Sequence, residues 1–293
     1  MKRFICIVLT LGLVLSLCAC GNAELSCASP LLAKKTVEEK PAETVPDFTE
    51  LLGDAFIDPN GEWDRYDGLI ASAKKEKKDS ARTELLSEAE KILMANSCII
   101  PLFFDEEDLT ALVFNADSAM FSGMSAEQAA CLRKAVSLLI DRSYLAEKYG
   151  GKDCSAAEGL IKGGTDYFDA MAITDDFDRT AEQAKALMEA AGFKFDENNK
   201  LEENNPVSFV FICEDDKEDV GMAQSLMQDL SALSVDMKIE KLSESKYEKL
   251  LDSGDYDAVC IDFDAQSKDI FDVLSMWKSN SKQNYAFYGE KAA

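Results

Sequence analysis

The chain has no histidine among its 293 residues. That removes histidine triads, imidazole general bases and every histidine-ligated metal site. Its nine cysteines include no Cys-x-x-Cys pair, so zinc-ribbon and thioredoxin-like patterns are excluded as well. A phosphate loop, a dinucleotide fingerprint and a Gly-x-Ser-x-Gly elbow are all missing, and there is no internal repeat. Basic residues are scarce: 31 Lys and Arg stand against 55 Asp and Glu, a net charge of -24. Such a surface repels phosphates, which argues against nucleic-acid partners, and it repels anionic lipid headgroups too. Together these absences favour binding over catalysis, with no cofactor or metal expected. What is present is an apolar fraction of 47%, enough for a folded core.

Ile5 to Leu17 is the first apolar run. It follows Lys2 and Arg3, is too short to span a bilayer as a helix, and has the length of a signal-peptide core. It leads into Leu17-Cys18-Ala19-Cys20-Gly21-Asn22, which resembles a bacterial lipobox with cleavage before Cys20 and lipid on Cys20. An ordinary secretory signal is the alternative. The expected organisation is a lipoprotein signal peptide over 1–19, a flexible stalk over 20–53 carrying Pro30, Pro41 and Pro46, and a folded region over 54–293. Cleavage removes Lys2 and Arg3 and no acid, leaving 29 basic residues against 55 acidic, or -26. Membrane contact would then come from the lipid anchor alone. Of the six remaining cysteines besides Cys20, three lie in apolar strand-like runs, and buried free thiols are the expected state.

Hydrophobic periodicity predicts helices over 63–73 and 81–95, the second started by Asp79 or Ser80 as N-cap. Apolar runs at 98–104 and 109–114 have strand length. Ser125 and Gln128 have capping-box spacing for a helix through Ile140. A helix over 179–191 stops at Gly192. Beyond it, strands at 206–213, 235–240 and 256–262 alternate with helices at 219–233, 244–252 and 269–278. This alternation implies α/β, a mixed β-sheet with flanking helices.

Several stretches resemble segments of one family, the extracellular solute-binding proteins of peptide and nickel importers (family 5). LRKAVSLLIDR, Leu132 to Arg142, is similar to a helix and its Ile-Asp-Arg end. AEQAKALMEAAGF, Ala181 to Phe193, is similar to the next helix and its stop. PVSFVFIC, VDMKIEKL and SESKYEKLLDSGDYDAVCIDF follow in the family's order, with Asn284-Tyr285 and Tyr288 after them. Arg65-Tyr66-Asp67-Gly68-Leu69-Ile70 and AEKILMANSCIIPLFF resemble the family's closing pieces, yet they come first. The resemblance therefore implies one carboxyl-side lobe of a periplasmic-binding-protein-like (type II) fold, circularly permuted. It requires 62–104 to pack against 256–288.

The family's function implies an extracytoplasmic receptor lipoprotein of an ABC importer, with a peptide or other small solute as ligand and no enzymatic activity. Its partner is an ABC permease, or a separate protein supplying the missing lobe. An interaction scaffold that docks another protein through the former cleft face is the alternative. The family's aspartate for a ligand amino group falls at Gln266, within Asp262, Phe263, Asp264, Gln266 and Ser267, the candidate ligand-binding residues. Solvated loop charge is the bland reading of Asp262 and Asp264. Trp63, Phe263, Trp277 and Tyr285 are candidate cleft aromatics, with core packing the commoner fate. The acidic runs 105–108 and 214–216 lack calcium-loop spacing and read as solvated turns.

Overall fold

The computed structural model describes residues 59–105, 108–162, 181–202, 206–264 and 269–287. The expected signal peptide and stalk, with Cys20, and Gln266, Ser267 and Tyr288 lie outside the described residues. Two helices come first, α1 (Pro59–Ala73) and α2 (Asp79–Asn96), then the hairpin β1 (Ile99–Phe104) and β2 (Asp108–Phe114). Helices α3 (Ala126–Leu139) and α4 (Arg142–Tyr149), the short β3 (Ser155–Ala156) and α5 (Ala181–Ala190) follow. The remainder alternates: β4 (Ser208–Glu214), α6 (Lys217–Leu230), β5 (Asp236–Leu242), α7 (Glu244–Ser253), β6 (Ala258–Asp264) and α8 (Ile270–Ser275).

The strands form one sheet in the order β3-β1-β2-β6-β4-β5. β4 runs parallel to β5 and β6, and the β6–β2, β2–β1 and β1–β3 pairs are antiparallel, so the sheet is mixed as expected. Side chains alternate between two cores. Ile100, Leu102, Leu112, Phe114, Phe209 and Phe211 face α3, α5 and α6. Ile99, Leu109, Val113, Ile212, Val259 and Phe263 face α1, α2 and α8. Because both faces are covered, β1 and β2 are buried without alternation, Asp108 and Thr110 being their only polar residues. The outer strand β5 alternates instead, with Lys238 exposed, which discourages pairing along the free edge.

The local signals act where they were read. Ser125 accepts from the Gln128 backbone N–H while the Gln128 side chain accepts from the Ser125 N–H, closing the capping box. Gly192 has φ +92°, a backbone that disfavours any side chain, and ends α5. One expectation fails: Lys78, not Asp79 or Ser80, is the N-cap of α2, and it makes no side-chain cap bond. Asp79 is already helical, so its carboxylate contributes only first-turn charge.

The stretch 62–104 does pack against 256–287. The Tyr66 hydroxyl donates to the Leu274 carbonyl, and the Ser279 N–H and hydroxyl both donate to Asp67. Arg82 donates to both oxygens of Asp269 at 2.8 Å. Buried guanidiniums join the same stretch to the helices after it. Arg142, fully buried, donates from Nε to the Pro101 carbonyl at 2.7 Å and from its other nitrogens to the Ser137 carbonyl and hydroxyl at 2.8 Å. Arg133 Nε donates to the Asn96 carbonyl at 2.9 Å.

Candidate functional site

The topology turns at β4. The chain leaves β4 through α6 to reach β5 on one side, then returns through α7 to β6 on the other. Val220, Ala223, Leu226 and Leu230 of α6 join the core of one sheet face, and Tyr247, Leu250 and Leu251 of α7 pack against the core of the opposite face. The two connections therefore diverge at the carboxyl ends of β4 and β6. A crevice at such a switch point is where open α/β sheets hold ligands.

Asp262 and Asp264 are exposed at this end of β6. Asp262 accepts from the Thr110 hydroxyl at 2.6 Å, and Asp264 is the register partner of Asp108. The Asp108 N–H donates to the Asp105 carboxylate at 2.7 Å, closing the β1–β2 turn. Asp216 caps α6, accepting from the N–H groups of Glu218 and Asp219 at 2.7 and 3.0 Å. The sequence reading was solvated turns: Asp105 and Asp108 do sit at a turn, whereas Glu214 ends β4 and Asp216 is a helix cap. Among the described residues, no three acidic or cysteine side chains are grouped so as to hold a metal ion.

Phe263 does not share this site. The pleat sends it to the opposite face from Asp262 and Asp264. There it is 2% exposed, its ring centroid 4.1 Å from that of Trp277 and 6.3 Å from that of Tyr285. Phe263 is packed in the core, as are Trp63 and Trp277. Gln266 and Ser267 fall outside the described residues.

Two side chains at the crevice were not singled out from sequence. Asp219, in the first turn of α6, is half-buried, and burial first, then the like charge of Asp216, pushes its carboxyl from the ordinary 3.8 up to about 6. Glu214 and Asp262 add like charge, and a backbone hydrogen bond at Glu214 opposes the rise. The Tyr247 hydroxyl donates to the Cys260 carbonyl at 3.2 Å, and burial pushes its phenol up. A strand–turn–helix junction with an acid in the first helical turn was the signal available for Asp219.

The consequence for Asp219 can be measured. Its folded-state pKa lies above the unfolded value, so the folded state binds this proton more tightly. Its contribution to stability is complete below about pH 4 and is lost as pH rises through about 6. Asp219→Asn is expected to raise the thermal midpoint at pH 7.5 relative to wild type and to leave it unchanged at pH 4. An equal shift at both pH values would remove the carboxyl's burial as the cause.

An open groove of about 640 Å³ adjoins the crevice between α4 and α6, walled by Tyr144, Tyr149 and Gly221 with Lys148 and Lys241 at its sides. The Lys148 ammonium lies 4.9 Å from each tyrosine ring centroid. Asp219 and Asp262 do not line this groove.

The profile of the family described as bacterial extracellular solute-binding proteins, family 5 Middle, matches residues 59–285. Among solved structures, NikA from Brucella suis in complex with Fe(III)-EDTA is similar at 15% identity, over 69% of this chain and 40% of that one, with a TM-score of 0.51. The oligopeptide-binding protein AppA from Bacillus subtilis, in complex with a nonapeptide, matches at 15% identity over 71% and 41% of the two chains, with a TM-score of 0.48. The Escherichia coli murein tripeptide binding protein MppA matches at 16% identity over 64% and 35%, with a TM-score of 0.49. No curated protein matches in sequence. This chain thus spans less than half the length of each of these structures. No described helix is long and apolar enough to cross a membrane. With the profile covering most of the chain and a mixed sheet of matching fold beneath it, this protein belongs to the family 5 bacterial extracellular solute-binding proteins.

Proposed function

We propose that this chain is the ligand-holding lobe of a peptide receptor for an ABC importer, anchored outside the cell membrane by lipid on Cys20, with residues 20–53 as its stalk. The order of its segments is a circular permutation of the family's lobe, with the old ends joined. A separate polypeptide supplies the opposing wall of the cleft. The observation that carries the ligand reading is the pair Asp262 and Asp264, exposed at the carboxyl end of β6 with Asp108 opposite. Carboxylates there suit an ammonium group, and a charge-assisted bond to a peptide amino terminus is the recognition such a site offers. Asp264 replaces the charge missing at Gln266, with Ser267 next to Gln266 in sequence. The chain carries out no chemistry on its ligand.

The docking scaffold is the second reading. It needs exposed apolar surface on the cleft face. Among the described residues the large exposed apolar side chains are Tyr144 and Met227, on α4 and α6, and neither is on β6.

Thermal unfolding of the full chain with a tripeptide and with its N-acetylated form tests this. At about a hundred times the dissociation constant, the free-amine peptide should stabilise by about 2.7 kcal/mol. Acetylation should abolish the shift, and Asp264→Asn should weaken binding about tenfold, near 1.4 kcal/mol. Equal shifts with both peptides would sink the amino-terminus reading. No shift with either would favour docking.

A further inference from the structure

Cys213 and Cys260 are nucleophilic side chains that peptide binding does not use. β4 and β6 run parallel, with Phe211 beside Ala258 and Ile212 beside Val259. The paired register ends there; continued by one residue, it would set Cys213 beside Cys260. The pleat turns both towards one face: Phe211, Ala258 and Cys213 share a core cluster, and Cys260 packs against it. Parallel neighbours stand about 4.8 Å apart. A disulfide spans roughly 4.4–6.8 Å between Cα atoms. Both thiols are free; burial pushes the Cys213 thiol up to about 11 and the Cys260 thiol well up, with the charge of Cys213 adding to the rise at Cys260, so both react slowly and the oxidation needs prolonged exposure to peroxide. Cys213 is 3% exposed, while Cys260 is half-buried and so the more accessible of the two. Cys98 and Cys131, by contrast, lie on α2's carboxyl flank and on α3, with no strand register between them.

We propose that Cys213 and Cys260 are a vicinal dithiol, a redox-modifiable site at which a peroxide closes a disulfide between β4 and β6. The Cys260 sulfur attacks one peroxide oxygen, the O–O bond breaks, and a sulfenic acid and one water form. The Cys213 sulfur then attacks the sulfenic sulfur, the S–OH bond breaks, and a second water leaves with the Cys213 proton. Two thiols lose two electrons and two hydrogens in all, and one peroxide is reduced to two waters. The resulting bridge would tie together the two strands at which the connections diverge, two residues before Asp262. It is independent of the ligand reading, because its readout is covalent.

Disulfide mapping of the full chain is the test. The native protein is treated with hydrogen peroxide, remaining thiols are alkylated in denaturant, and the digest is analysed by mass spectrometry. A peptide bridging Cys213 and Cys260, released by dithiothreitol, is expected, with Cys98 and Cys131 alkylated as in the untreated chain. In Cys260→Ala, Cys213 should be alkylated in full after the same treatment. Failure to recover the bridge from wild type, or a bridge from Cys213 to another cysteine, overturns the proposal whether or not the variant folds.

Discussion

Replacing Arg142 by Ala is expected to lower the free energy of unfolding by about 4 kcal/mol, near what removing one member of a buried charged network costs. The guanidinium is fully buried and donates to the carbonyls of Pro101 and Ser137 and to the Ser137 hydroxyl. Hydrogen bonds from a charged donor contribute about 1.5–3 kcal/mol each, and losing the donor leaves buried acceptors without it. A domain is stable by roughly 5–15 kcal/mol, so the variant sits close to unfolding. Arg142→Lys keeps the charge but not the planar fork, and should recover less than half of the loss. Equilibrium urea unfolding measures both, through a midpoint that falls at constant slope. A loss below about 1 kcal/mol for Arg142→Ala would mean that the Pro101 and Ser137 carbonyls find other donors at no cost.

Phe263→Ala is expected to cost about 3–5 kcal/mol, the usual range for emptying a packed aromatic site. The ring lies among Trp277, Tyr285 and the helices α1, α2 and α8. Phe263→Leu fills most of that volume and should cost less than about 1.5 kcal/mol. The two substitutions also separate a core role from a ligand role. Tripeptide affinity of Phe263→Leu should match wild type within about twofold, at most some 0.4 kcal/mol. A larger loss of affinity at unchanged stability would return Phe263 to the ligand site.

Elements with strong periodicity or caps were legible. The capping box at Ser125, the αL stop at Gly192 and the parallel strands β4, β5 and β6 are local signals, and each acts where it stands. Helix α4 was not read, because only Arg142, Leu145 and Ala146 are buried along it, too few to form a stripe. Two-residue β3 has no period at all. The N-cap of α2 was misread because Asp79 and Ser80 have capping chemistry, yet the chain turns helical one residue earlier. For the candidate site, the alternation in Val259, Ile261 and Phe263 against Asp262 and Asp264 already separates two faces of a strand. Loop resemblance had grouped all three. Asp219 stayed hidden because its raised pKa comes first from tertiary burial, which the sequence does not show, and only then from its neighbour Asp216.

The ties between the first helices and the last described segment bear on how the chain folds. Tyr66 reaches Leu274 across 208 positions, Asp67 reaches Ser279 across 212, and Arg82 reaches Asp269 across 187. Contacts this distant in sequence pay their loop-closure entropy late. Helices α1 and α2 pack with β1 and β2, which follow them closely, but the core they share is finished only when Val273, Leu274 and Trp277 arrive. Completion of the lobe is therefore an end-to-end closure, and removal of residues 269–287 should strip Tyr66, Asp67 and Arg82 of their distant partners rather than trim an accessory tail.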